Sequence, residues 1–438
     1  MKRKYYIYIL IISFFLNNNF LVYAEEELVL NLDLTETIKM SIRASEDIKI
    51  KANNIEKSSS VYRQARSAAL PQINGEVSLN HNVKYPSMLP TPKLDNELYT
   101  GVTASQLVCS FGKVSAAIKQ AEEAIDISHL QKEAVTKDII FNAKVSYYTT
   151  LLAQQTFDIY EQSYKNSLSN KNLLRERTYA GRGSKRDNIK IDADVASRMP
   201  GVNNARANFL SAYNTLKKVV GVGPEIDIEL TEDFAQAYNY LDYEVLEEIM
   251  FENETSLKIL GKSIDIDKLS IRGKRAEYFP TVSAFWSWYY QGARNEDIEF
   301  ERDDVGYYDV VGLKVDVPLW TSGRTSAELK EVQKNKENDE LLLQKTKKDL
   351  KVALSKAVSE YNEYIETLKA NRKAVSLANE SFKMTQDLFS TGQVTTTELN
   401  DAEQLLSGQR LNKALTLYKL NITLTQIERL TAEVGEVL

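Results

Sequence analysis

The chain has 438 residues, 43% of them hydrophobic and 26% charged, a balance that excludes a disordered chain and leaves room for about two to four ordinary domains. Lys and Arg number 55 against 61 Asp and Glu, a net charge of −6, so there is no basic excess to carry nucleic-acid binding. The single cysteine, Cys109, excludes an internal disulfide and a cysteine-rich metal site; two histidines, His81 and His129, leave little for histidine catalysis or zinc ligation, and no cofactor is expected.

The N-terminus reads as a secretory signal peptide over residues 1–24. Met1-Lys-Arg-Lys is basic, Tyr5 to Leu16 is apolar, and Ala24 offers a small residue before Glu25-Glu26-Glu27. The apolar run is shorter than the ~20 residues of a spanning helix. No later segment reaches 18 apolar residues, so no transmembrane helix is expected.

A helical stretch is predicted over 33–69, followed by extended segments near 71–83 and 98–108. From Lys113 to Ala180 no proline or glycine interrupts the chain, which at 1.5 Å per residue predicts a helix of roughly 100 Å. A turn from Tyr179 to Asp187 leads into a returning helix, where Met199-Pro200-Gly201 predicts a kink or a junction of two helices. The same order then recurs: helix over 242–277, extended segments near 280–291 and 306–318, an unbroken helix from Arg324 to Thr391, a turn and a return. Gly112 falls on Gly323, Ser115 on Ser326, Ala116 on Ala327, Lys119 on Lys330 and Gly181 on Gly392. Such ordered matches predict an internal duplication, with units at 25–225 and 226–438, far longer than the 20–50 residues of a solenoid repeat.

The extended segments alternate. Ile73, Gly75, Val77 and Leu79 point one way; Gln72, Asn74, Glu76, Ser78 and Asn80 point the other. Val282, Ala284, Trp286, Trp288 and Tyr290 share a face in the second unit. This pattern fits a soluble hairpin on a core, and it fits an outer-membrane barrel strand. On the barrel reading, Trp286, Trp288, Tyr290 and Tyr307 form an aromatic girdle at the lipid headgroups. Four strands cannot close a barrel without exposing backbone groups at their edges, so several copies must share one, and a barrel much larger than ~8 strands is hollow.

The long helices carry a narrow stripe at 4,3 spacing: Leu350, Leu354, Ala357, Tyr361, Tyr364, Leu368, Val375, Ala378, Phe382 and Phe389, with Ile140, Ala143, Tyr147 and Leu151 in the first unit. A 3.5-residue repeat means coiled-coil packing, which a plain rod also satisfies. Gly181 and Gly392 are placed to cap helix C-termini, and Ser184 and Thr395 to cap the next N-termini. Just beyond, Glu398 and Asp401 lie three apart on one helical face. In a symmetric oligomer they form a ring of carboxylates able to gate a pore; equally, they are acidic residues that favour a helix start.

In this order of features the chain resembles the TolC-type outer-membrane efflux protein family. The resemblance rests on Leu70-Pro71-Gln72 and Phe279-Pro280, Val317-Pro318-Leu319-Trp320 leading to Gly323-Arg324, Gly392 with Glu398-Leu399-Asn400-Asp401-Ala402, and Gly221-Val-Gly-Pro224, and it covers residues from about 28 to 435. It implies a mainly α fold with a membrane β-barrel portion: a homotrimer whose twelve-stranded barrel in the outer membrane of a Gram-negative bacterium continues as an α-helical barrel through the periplasm. It implies an export duct, for efflux or type I secretion, and not an enzyme. A periplasmic adaptor and an inner-membrane transporter are the implied partners. The tip turns, Gly181, Arg182, Gly183, Gly392 and Gln393, are the implied adaptor contacts, and Glu398 with Asp401 the periplasmic gate. No GxxxxGK[ST] occurs, so energy must come from a partner. The competing expectation is a secreted or periplasmic coiled-coil scaffold without a pore; an adaptor is disfavoured because two hairpins are expected here, not one.

Overall fold

Two helices with no proline or glycine inside them set the length of the molecule. In the computed structural model, which describes residues 29–83, 96–181, 183–234, 238–294 and 305–431, they are α3 (Lys113–Tyr179) and α7 (Arg324–Thr391). They contain 67 and 68 residues, hence about 100 Å each. The segment predicted as a signal peptide, 1–24, lies outside the described residues.

Both long helices leave their strands through the same local device. Phe111 and Ser322 each hold φ of 50°, followed by Gly112 at 99° and Gly323 at 81°. The backbone N–H groups of Lys113 and Arg324 close turns onto Ser110 and Thr321, and the Ser115 and Ser326 hydroxyls donate to the two glycine carbonyls. Two consecutive left-handed residues turn the chain sharply from strand into helix, and glycine is the residue that tolerates the second position best.

The remaining helices are shorter. Two pairs precede the strands: α1 (Leu34–Ala44) with α2 (Glu46–Ser67), and α5 (Tyr243–Asn253) with α6 (Thr255–Ala276). The stretches predicted at 33–69 and 242–277 are therefore each broken once. Ser45 and Glu254 are extended at those breaks, and their side chains accept from the N–H groups of Ile48 and Ser256. The returning helices are α4 (Lys185–Val220) and α8 (Thr396–Thr431). Helix α4 runs continuously through Pro200, so no second helix begins there.

Packing follows from these lengths. Near the strands α3 lies between α2 and α6, and α6 packs on α7; toward the far tip α3 lies between α4 and α8, and α8 packs on α7. The molecule is thus a curtain of helices with α7 along one border and α2 and α4 along the other. The stripe read from the sequence is its seam: Tyr147, Leu151, Leu354, Ala357, Tyr361 and Leu368 are buried in one midway cluster with Leu417, Leu420 and Ile427. A second cluster near the tip joins Leu174, Ile191, Ala378, Phe382, Phe389, Leu399 and Leu406. Asn371, a polar interruption of the stripe, donates to Thr416 Oγ1 at 2.9 Å.

The strands β2 (Gln72–His81), β3 (Asn96–Cys109), β5 (Thr281–Arg294) and β6 (Val305–Asp316) form an antiparallel sheet in the order β2-β3-β5-β6. Their register sorts the side chains by chemistry. Ile73 pairs Ala104, Ala104 pairs Trp286, and Trp286 pairs Val311; Val77 pairs Thr100, which pairs Tyr290, which pairs Tyr307. That face is apolar and largely exposed. The opposite face carries Asn74, Thr103 and Ser287 in one row, with Thr103 Oγ1 and Ser287 Oγ 3.0 Å apart. Strands β2 and β6 are edges with no partner among the described residues. A second, small sheet has no counterpart among the expected elements: β1 (Val29–Leu32) pairs in parallel with β4 (Asp227–Leu230), tying the segment before α1 to the midpoint of the chain.

Candidate functional site

The tip, where α3 meets α4 and α7 meets α8, collects most of the residues singled out from the sequence. Gly392 ends α7 with φ of 86° and Gly181 follows α3 with φ of 73°, both left-handed. The Gln393 N–H donates to Leu388 O at 2.9 Å, closing the turn. Gly183 lies against Thr178. Arg182 falls outside the described residues. Tyr179, in the same turn, is 92% exposed and was not anticipated as a surface feature.

The two turns are locked together by Arg177. Its Nη1 donates to Phe389 O at 2.9 Å, and its guanidinium lies 5.0 Å from the Phe389 ring centroid. A cation from one hairpin thus covers the negative C-terminal end of the other hairpin's long helix.

Both returning helices begin with a carboxylate folded back on its cap. The Ser184 hydroxyl accepts from the Asp187 N–H at 3.1 Å and donates to Asp187 Oδ2 at 2.8 Å. Thr395 donates through its N–H (2.7 Å) and its hydroxyl (2.8 Å) to Glu398 Oε2, while Thr395 Oγ1 accepts from the Glu398 N–H at 3.3 Å. This is a capping box. The Thr395 backbone N–H, then its hydroxyl, hold the Glu398 carboxyl below its ordinary pKa. Asp401 is exposed one turn on. Asp192 bonds Lys171 at 2.8 Å with Arg175 at 3.6 Å, and the Lys171 bond lowers its pKa.

Higher up the hairpins, a buried charge cluster joins α4 to α8. Arg198 donates through Nε to Asp194 Oδ2 at 3.0 Å, through Nη1 to Ser163 Oγ at 2.5 Å, and through Nη1 to Glu403 Oε2. Ser167 completes Asp194 at 2.8 Å and Ser407 completes Glu403 at 2.8 Å. Glu403 is 1% exposed. Burial disfavours the Arg198 charge, but the Asp194 hydrogen bond and the Glu403 charge outweigh it and raise its pKa. Beside the cluster is a cavity of about 340 Å³ bounded by Tyr160, Gly201 and Gly408 among others. No motif in the sequence singles out Arg198, Asp194 or Glu403. The signal was their spacing: Ile191, Val195 and Arg198 follow the 4,3 seam, as do Leu399, Glu403 and Leu406. A charge at a seam position asks for a partner.

At the other end of the molecule, the register puts Trp286, Trp288, Tyr290 and Tyr307 on the apolar face of the sheet, Tyr290 directly opposite Tyr307. Trp288 stacks on Tyr290 with centroids 6.3 Å apart.

A half-exposed sheet with one greasy face, hung from helices about 100 Å long, defines a protein that is part membrane and part water-soluble. The profile of the outer membrane efflux protein family matches residues 37–222 and 261–433, so the chain belongs to that family. It is an outer-membrane export duct, in a family of transport channels. The solvent efflux pump outer membrane protein SrpC of Pseudomonas putida is 18% identical over 405 residues, covering 88% of this chain and 84% of that protein. The outer membrane efflux protein BepC of Brucella suis biovar 1 is 20% identical over 343 residues, covering 77% and 72%. The solved structure of the outer membrane protein VceC of Vibrio cholerae superposes with a TM-score of 0.77 at 15% identity, covering 91% and 96%, and so shares the fold.

Proposed function

We propose that three copies assemble by joining β6 of one to β2 of the next, closing a twelve-stranded barrel below which the helical curtains close a tube. The observation that carries this reading is the sheet: both edges lack a partner among the described residues, and its apolar face is exposed. In hydrocarbon each unpaired backbone group costs several kcal/mol, so the edges must find partners. Two copies would give eight strands, a barrel that side chains can fill; three give a hollow one. Each chain then consists of two like units, 25–225 and 226–438, preceded by a signal peptide over 1–24. The matching strand-to-helix turns at Phe111-Gly112 and Ser322-Gly323 support that division.

In this assembly Trp286, Trp288, Tyr290 and Tyr307 meet the lipid headgroups. The tip turns, with Gly181, Arg182, Gly183, Gly392 and Gln393, face a periplasmic adaptor, and an inner-membrane transporter supplies the energy. Threefold repetition of Glu398 and Asp401 places six carboxylates near the tip, a cation-favouring constriction of the kind that charged rings form in channels. Glu398 also serves as a helix cap, and the Thr395 bonds that hold it there favour its ionised form, so both carboxylates contribute to that field. A scaffold without a pore has no use for the exposed apolar sheet face. Native mass spectrometry of the purified protein in detergent tests the assembly: a trimer is expected, and a monomer that stays dispersed without detergent overturns it.

A further inference from the structure

The wet face of the sheet carries an aromatic cluster that the lipid-facing girdle does not account for. One row of the register crosses all four strands as Glu76, Gly101, Tyr289 and Tyr308. Tyr99, two residues before Gly101 and on the same face, leans over that glycine: a Cβ there would lie 2.9 Å from Tyr289 Cδ1 and 3.3 Å from the Tyr99 hydroxyl. The absence of a side chain at Gly101 lets both rings lie across the strand. Ring centroids are 5.3 Å apart for Tyr99 and Tyr289 and 5.0 Å for Tyr289 and Tyr308, tilted by 41° and 39°. Tyr308 is 47% exposed, and Glu76, at the other end of the row, is exposed as well.

Neighbouring positions on this face are Asn74, Ser78, Thr103, Ser287, Gln291 and the one apolar residue beside Tyr308, Val310. Tyr99 and Tyr289 are half-buried and Tyr308 is exposed, so the cluster keeps ring surface open to water. Aromatic faces attract cations through their quadrupole, and a carboxylate within two strand spacings, about 10 Å, adds long-range attraction of the same sign.

We propose that Glu76, Tyr99, Tyr289 and Tyr308 form a docking subsite for organic cations, a quaternary or protonated amine with an aromatic or alkyl body. The amine sits on the tyrosine faces and Glu76 balances its charge. The inference rests on the duct reading, which makes this face the lumen wall; three copies then present nine tyrosines and three carboxylates in one belt.

Equilibrium dialysis of phenyltrimethylammonium against the full-length protein in detergent tests it, with benzenesulfonate as the anion of similar shape. The parent is expected to bind the cation in preference to the anion. Y289A/Y308A is expected to bind about tenfold more weakly and Glu76→Gln about threefold, while Y289F/Y308F, which keeps the rings and folds with the same packing, stays within about twofold. Cation binding unchanged in Y289A/Y308A, or equal binding of benzenesulfonate by the parent, overturns the subsite. Native mass spectrometry on the same samples separates the two claims: trimers that show no cation preference refute the subsite alone, whereas a monomeric parent refutes the duct and the subsite with it.

Discussion

Removing Arg198 isolates a charge that the protein has almost wholly withdrawn from water. In Arg198→Ala, among the described residues, Glu403 keeps only the Ser407 hydroxyl and the Asp194 carboxylate only Ser167. The Arg198 and Glu403 side chains are 12% and 1% exposed, so little solvent can take the arginine's place. Breaking a buried pair from one side costs about 3–5 kcal/mol. The chain has 438 residues and its buried clusters lie far apart along it, so a global melting temperature is a poor gauge. Native-state hydrogen exchange reads the loss locally. Amides of α4 and α8 around Ile191–Arg198 and Leu399–Ser407 should exchange about a hundredfold to several thousandfold faster, with the midway cluster around Leu354 and Tyr361 unchanged. The double variant Arg198→Met with Glu403→Leu should recover part of the protection, because it removes the stranded Glu403 charge while Asp194, 12% exposed, still lacks its arginine. Exchange in Arg198→Ala within threefold of the parent, or a double variant no better than the single, refutes this reasoning.

Three further outcomes follow from the geometry. Gly392→Ala forces a side chain onto a left-handed residue and places its Cβ 2.8 Å from Arg177 Nη2, so it should cost about 1–2 kcal/mol in the last turn of α7, measured by local amide exchange; Gly181→Ala, with nothing within 4 Å, should cost less. The Glu398 carboxyl has a folded-state pKa below its ordinary value, so the stability it contributes is present above the unfolded pKa of about 4.3 and is lost as the pH falls through the lower, folded value. Protection of the first-turn amides of α8, taken relative to their intrinsic exchange rate at each pH, should therefore fall in acid in the parent and much less in Glu398→Gln. On the sheet, Val311→Arg puts a charge on the apolar face at a position 79% exposed and should cost up to about 2–4 kcal/mol in lipid, while Val310→Arg on the opposite face is tolerated; the folded fraction in vesicles distinguishes them, and equal fractions contradict the assignment of faces.

The parts legible in the sequence were those governed by a single local rule. Helices α3 and α7 were placed to within a residue or so because nothing in either span can break a helix. The strands showed their alternation, and register later joined Val282 to Val315 and Tyr290 to Tyr307 without conflict. What stayed hidden depended on partners far along the chain. Strands β1 and β4 have four residues each and pair only through a separation of about two hundred positions, so neither has a periodicity to read. Pro200 looked like a break because the rule for proline is local, whereas the helix around it is held by α3, with Tyr160 packed close to Gly201. The acidic residues after the second turn looked alike in the sequence; burial separates them, placing Glu403 inside and leaving Glu398 and Asp401 at the surface.

The two unpaired borders of the sheet have a genetic consequence. If three copies close the barrel as proposed, each joint is made from unlike edges, so a chain damaged only along β6 still offers a sound β2 and enters the assembly. On that assembly such an allele is dominant: when half the chains in a cell carry it, roughly one ring in eight is free of it, and the intact copies are consumed in leaky rings. Damage to the seam of the long helices behaves in the opposite way, because a chain that fails to fold never joins and the wild-type copies assemble alone.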